Sequence, residues 1–240
     1  MKQKSQSLFL LLWVLAIVTG CSPALDDSPP SDAQAPVMPL TEVIRQGEKI
    51  IYSGPLTAEA NRTVKSLLDE HTHILAISSR GGEINLGMDL GELVIEHGLS
   101  VEVVGYCLSS CANYVLPAGR LKLLHRDSLV AWHGGAFQTF AYIDPAIEPA
   151  FRAYIEPAKL RERAYFEKLA ISPHVTVMGQ RDDYADRGKD CMGWTYSVDT
   201  MAALGMRNIT LLDGEWNPPL VWEGRCVFLI DQFTDSANKE

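Results

Sequence analysis

The chain has 240 residues, enough for one sizeable hydrophobic core. Its 47% hydrophobic and 21% charged residues are the balance of a folded globular protein and exclude a disordered or fibrous one. With 21 Lys+Arg against 30 Asp+Glu, a net charge of −9, the chain offers neither the basic surface that binds nucleic acid nor a polybasic membrane patch.

Lys2 and Lys4 precede an apolar run from Leu8 to Val18, followed by the small residues Thr19 and Gly20 and then Cys21. The run is short for a membrane span and has the basic start and small-residue end of a secretory leader. Val18-Thr19-Gly20-Cys21 resembles the lipobox of bacterial lipoproteins, which implies cleavage after residue 20 and a lipid on Cys21. Cleavage removes two lysines and no acid, moving the net charge from −9 to −11. Residues 21–39, rich in Pro, Ser, Ala and Asp, read as a flexible tether. Residues 40–240 then form a single domain. With Ser22 rather than Asp after Cys21, the resemblance implies the outer membrane, facing the periplasm. Setting Cys21 aside leaves Cys107, Cys111, Cys191 and Cys226, which three pairings accommodate. Cys191 and Cys226 have no other evident role and are expected to pair, leaving Cys107 and Cys111 at i, i+4, within disulfide reach.

The domain alternates strand and helix. Residues 49–52 read as a strand; Thr57 caps a helix over 58–70 with Ala60, Val64, Leu67 and Leu68 on one face. The unbroken apolar run 74–78 is a strand buried on both faces. A helix follows over 84–96, ended by Gly98. A strand over 101–104 leads to a helix over 110–116, stopped by Pro117 and Gly119. These are parallel βαβ units, whose ligand sites lie at the carboxyl ends of the strands.

Three strand ends carry unusual residues. Gly81-Gly82 brings bare main-chain N–H groups to a turn, suited to holding an oxyanion, though such pairs also serve as plain turns. Ser109 and Ser110 stand at a helix start, where a hydroxyl serves as a cap or as a nucleophile backed by free N–H groups. His133 follows the apolar run 129–132 and precedes Gly134-Gly135.

Together these segments resemble the ClpP-like serine peptidases of the ClpP/crotonase superfamily. Ser79-Arg80-Gly81-Gly82 matches the family's Ser-x-Gly-Gly oxyanion turn, and Gly87-Met88 follows it as in ClpP. The family's nucleophile lies nine residues before the Gly of an Ala-Gly pair, and counting back from Gly119 reaches Ser110. Ser128-Leu129-Val130-Ala131-Trp132-His133 matches the strand that delivers the base, and residues 50–57 match the opening strand and turn. The likeness is good over residues 49–135 and weak to about 206. It implies an α/β fold of repeated βαβ units in a superhelix. It also implies a serine hydrolase, in which Ser110 attacks, His133 is the base, and the N–H groups of Gly81 or Gly82 and of Cys111 hold the oxyanion.

The match departs from the family at Cys111, where Met or Ala is usual, and at the triad acid. Aligning residues 194–206 puts the acid near Gly193, which has no side chain. Asp190 is the nearest candidate, with Asp186 and Asp183 behind it and an acid-free dyad as a further alternative. Between residues 136 and 180, helical after Pro149, the match is too poor to carry over the family's subunit contacts, and a homo-oligomer stays an open expectation. A Cys nucleophile or zinc site on Cys107, Cys111 and His133 is disfavoured, since exported thiols are usually oxidised and no second Cys pair completes a metal set. Acyl-CoA chemistry is disfavoured because an exported chain does not meet CoA. No P-loop is present. The expectation is a lipid-anchored serine peptidase acting on peptide or protein without metal or cofactor, with a catalytically silent binding or scaffold module as the alternative.

Overall fold

A computed structural model of the chain describes residues 40–140 and 142–232. The leader, Cys21 and the tether lie outside the described residues. A hairpin opens the domain: β1 (Glu42–Gln46) pairs antiparallel with β2 (Lys49–Ser53). Gly47 turns between them at φ +61°, a conformation open to glycine without penalty. β1 is largely exposed and lacks the apolar signal that marks β2.

Thr57 caps α1 (Ala58–Leu67) by accepting the Ala60 N–H at 3.1 Å. β3 (Ile74–Ser79) lies parallel to β2, with Leu75, Ala76 and Ile77 buried. Glu83 caps α2 (Ile84–Glu96) through the N–H groups of Asn85 and Leu86, and Gly98 leaves the helix at φ +61°. Met88, Leu90 and Val94 of α2 face Ile50, Leu75 and Val101 in one cluster. Each fully buried aliphatic side chain contributes about 1.5–3 kcal/mol by its removal from water.

β4 (Ser100–Leu108) is longer than the expected 101–104. Val101–Val103 pair with β5 (Lys122–Leu124), whereas Tyr106–Leu108 pair with β6 (Leu129–Ala131). A register shift against β3 separates the halves, and Gly105 takes φ +76° there. One strand thereby serves two neighbours and sends its end toward β6.

The 22-residue α4 (Glu148–Leu169) follows, then short 3-10 turns, α5 (Ala185–Gly188), β7 (Cys191–Tyr196) and α6 (Val198–Ala203). β8 (Ile209–Leu211), β9 (Val221–Trp222) and β10 (Arg225–Ile230) complete the described elements. The main sheet runs β1-β2-β3-β4-β5-β8 with β6 also on β4, parallel except for β1; β7-β10-β9 form a second sheet. The chain is therefore α/β with a mostly parallel sheet.

Both expected disulfides are present. Cys191–Cys226 joins β7 to β10, and Cys107–Cys111 bridges the end of β4 to the helix that follows.

Candidate active site

β4 delivers Ser109 and β6 delivers His133. The Ser109 N–H donates to the Ala131 carbonyl at 2.9 Å, holding the two strand ends side by side. Ser109 has φ +56°, a left-handed conformation that non-glycine residues enter at a cost of about 1–2 kcal/mol. Three features impose it. The Cys107–Cys111 disulfide closes over the turn, with Cα atoms 5.3 Å apart. The Ser109 carbonyl accepts the Asn113 N–H at 2.8 Å. Gly81, itself at φ +86°, packs so closely beneath that a Cβ would lie 2.5 Å from the Leu108 oxygen and 2.8 Å from Ser109 Cβ.

The hydroxyl that meets the imidazole belongs to Ser109: its Oγ lies 2.8 Å from His133 Nε2. Ser110, the residue expected in that role, is 2% exposed and donates its hydroxyl to the Gly82 carbonyl at 2.7 Å. It ties the glycine turn to the helix. The one-residue displacement has a local cause. Cys111–Val115 form a π turn, with the Leu116 N–H bonded to the Cys111 carbonyl, and a π turn takes up one residue more than an α turn. Counting back nine residues from Gly119 on an α-helical frame therefore stops one short. Pro117, expected to stop the helix, instead sits inside α3 (Leu116–Ala118), which continues the π turn.

The N–H groups expected to hold an oxyanion are not equally free. The Gly81 N–H is engaged by Ser79 Oγ at 3.1 Å. The N–H groups of Gly82 and Ser110 have no protein acceptor among the described residues. Cys111, buried, opens the π turn, so its first-turn N–H stands next to these.

Burial lowers the pKa of His133 below its ordinary value, and a hydrogen bond to its own main chain raises it by less. His133 is nonetheless exposed in part, while Trp132 beside it is fully buried. The imidazole is thus neutral near pH 7, as a general base must be. Its backbone is fixed on three sides: Trp132 exchanges main-chain bonds with Trp194 at 2.8 and 2.9 Å, the Gly134 carbonyl accepts from Asn113 Nδ2 at 2.7 Å, and the His133 carbonyl accepts from Gln180 Nε2 at 3.0 Å.

No carboxylate is hydrogen-bonded to His133 among the described residues. Asp190 is exposed just before β7. Asp186 pairs with Lys189 at 2.7 Å and Asp183 with Arg181 at 3.3 Å. Gly193 does lie beside the histidine, but a Cβ there would fall 2.2 Å from the Trp132 carbonyl oxygen and 3.3 Å from His133 Cβ. The main-chain pairing that positions His133 leaves no room for a side chain.

A buried carboxylate that sequence reading missed supports the site from behind. Glu162, on α4 and fully buried, accepts from the Ala136 N–H at 2.6 Å, Tyr114 Oη at 2.8 Å and Thr176 Oγ1 at 3.1 Å. Burial raises its pKa against the pull of these donors. It joins the segment after His133 to the helix after Ser109. The only sequence signal was an acid set among apolar residues on a helix otherwise rich in exposed charge.

Beyond the imidazole, a cavity of about 240 Å³ is lined by Gly179, Gln180, Met192, Gly193 and Phe228. Gln180 also borders a neighbouring cavity of about 450 Å³, with Phe137, Thr139 and Arg181. Among the described residues no cluster of His, Cys, Asp and Glu suits a metal ion. No protein-family model and no curated protein matches this chain.

Proposed function

We propose that the protein is a serine hydrolase of ClpP/crotonase-like fold, a peptidase acting through a Ser109–His133 dyad. The observation that carries this reading is the 2.8 Å contact between Ser109 Oγ and His133 Nε2 on a serine held at φ +56°. A strained turn that lifts a serine hydroxyl toward a neutral histidine is the arrangement nucleophilic catalysis requires.

In the reaction, His133 Nε2 takes the Ser109 hydroxyl proton as Oγ bonds to the scissile carbonyl carbon. The carbonyl oxygen gathers charge and is held by the free N–H groups of Ser110 and Gly82. His133 returns the proton to the leaving amine as the C–N bond breaks. Water, deprotonated by the same imidazole, then releases the acid and restores Ser109. Gln180 and the Trp132–Trp194 pairing fix the base through its main chain, the task a carboxylate performs in a triad. The cavities on either side of Gln180 would take the substrate's side chains.

On this reading the enzyme is lipid-anchored in the bacterial cell envelope, at the outer membrane and facing the periplasm, and what supports it is the likeness of residues 18–21 to a lipobox. The two disulfides support an oxidising compartment. A second reading, a catalytically silent module that binds peptide, draws on the absence, among the described residues, of a carboxylate hydrogen-bonded to His133. Hydrolysis of casein or a peptide library by full-length protein and by Ser109→Ala and Ser110→Ala separates the two. Loss of activity in Ser109→Ala alone supports the peptidase, and activity unchanged in Ser109→Ala refutes the dyad.

A further inference from the structure

At the end of the sheet opposite Ser109, a cavity of about 410 Å³ opens between α3, the start of β5, the end of α4 and the turn before β8. Lys122 there pairs with Val101, eight residues before Ser109, so it lies roughly 25 Å from the dyad along the strand. The lining carries Arg120, Lys122 and Arg207 and no acidic residue, with Pro117, Leu169 and Ile171 forming an apolar wall.

Lys122 is only 6% exposed. Among the described residues none of the three basic side chains makes a hydrogen bond or an ion pair. The contrast with Lys49 is direct, since that ammonium reaches Glu102 at 2.6 Å on the same sheet. Burial without a countercharge pushes Lys122 down to about 8, so at pH 7 the ammonium is still mostly charged and unpaired. The ammonium keeps some solvent access through the cavity, but a charge so largely withdrawn from water is ordinarily paired because its desolvation is otherwise uncompensated. Arg120 and Arg207 are exposed, so the unusual feature is the buried Lys122 left without a partner between two further cations.

We propose that this cavity binds a small oxyanion, a phosphate or phosphate monoester, with Lys122 at its base and Arg120 and Arg207 at its rim. Guanidinium forks and an ammonium match the tetrahedral, multiply charged group, while a single carboxylate would leave cationic charge over. The main-chain N–H groups of Arg120 and Lys122 are spent on Leu99 and Asn208 at 2.8 and 2.9 Å, so recognition rests on the side chains. The apolar wall fits the carbon body of an ester.

The test is calorimetric titration of the full-length protein with inorganic phosphate at pH 7 and fixed ionic strength. Saturable binding of one phosphate per chain is expected, weakened at least roughly tenfold by Lys122→Met and by Arg207→Ala and unaltered by Ser109→Ala. Arg207 is exposed, so its variant reports on binding even if the buried Lys122 substitution disturbs folding. Absence of saturable binding, or equal affinity in wild type and Arg207→Ala, overturns the proposal. Glycerol 3-phosphate and vesicles containing phosphatidic acid, compared at equal phosphate, then distinguish a soluble ester from a lipid headgroup, and binding of either through Arg207 supports the site.

Discussion

Tyr114 and Glu162 meet inside the protein with Oη 2.8 Å from the carboxylate, and both are buried. Tyr114 belongs to the π turn after Ser109, whereas Glu162 also holds the Ala136 N–H, three residues after His133. The two halves of the proposed dyad thus share one buried anchor.

Glu162→Ala strands the Ala136 N–H and the Tyr114 hydroxyl in the interior, while the Thr176 hydroxyl keeps the Pro173 carbonyl at 3.1 Å, and we expect it to lose about 2–4 kcal/mol of stability. Glu162→Gln keeps one acceptor oxygen, enough for the Ala136 N–H and the Tyr114 hydroxyl that share one carboxylate oxygen, at nearly the same volume, and should recover most of that. Tyr114→Phe removes one bond and should lose about 1 kcal/mol. Urea denaturation of the three variants checks this order, and a fall in kcat without a rise in KM in Glu162→Gln would show that the anchor also positions the dyad.

The two disulfides should separate stability from activity. On a chain-entropy basis, removing Cys191–Cys226, which spans 35 residues, costs about 4 kcal/mol, and removing Cys107–Cys111, which spans four, about 2 kcal/mol. Only the second holds the Ser109 turn. Cys107→Ala/Cys111→Ala should therefore lose the larger share of hydrolysis and the smaller share of stability, measured by turnover and melting temperature on the same samples.

Burial sets the pH dependence of His133. Its folded-state pKa lies below the ordinary 6.5, so the neutral base persists at neutral pH and the acid limb of kcat/KM should have its midpoint below 6.5. The same shift makes a stabilising contribution that is present above 6.5 and lost as pH falls through the folded-state value. NMR titration of the His133 ring checks the direction, and His133→Asn should remove this dependence.

Much of the frame is legible in residue order. The apolar run Ile74–Ser79, the Thr57 cap, the amphipathic α2 and the Cys191–Cys226 pair all follow from local chemistry that the fold does not override. β1 carries no such signal because it is an exposed edge whose pairing is made by main-chain bonds. β5 is three residues, too short to show a period, and depends on β4 being long enough to serve it; β6 is as short, and is legible only through the resemblance of Ser128–His133 to the strand before the family's histidine. At the site, His133 and the glycine turn are legible from their strand-end positions. Which serine faces the histidine is not, because a π turn changes helical phase without any composition that marks it. Gly193 is legible as a position without an acid, but the reason, contact with the Trp132 carbonyl, exists only in three dimensions.

The most direct measurement is the site of covalent capture by a fluorophosphonate, which reacts with serines activated by a neighbouring base. Mass spectrometric mapping of the labelled full-length protein should find the adduct on Ser109. The adduct should vanish in Ser109→Ala and fall sharply in His133→Asn, and Ser110→Ala should keep it while losing about 1 kcal/mol of stability with its bond to Gly82. An adduct on Ser110, or none on a folded protein with both cysteine pairs intact, would contradict the Ser109–His133 dyad.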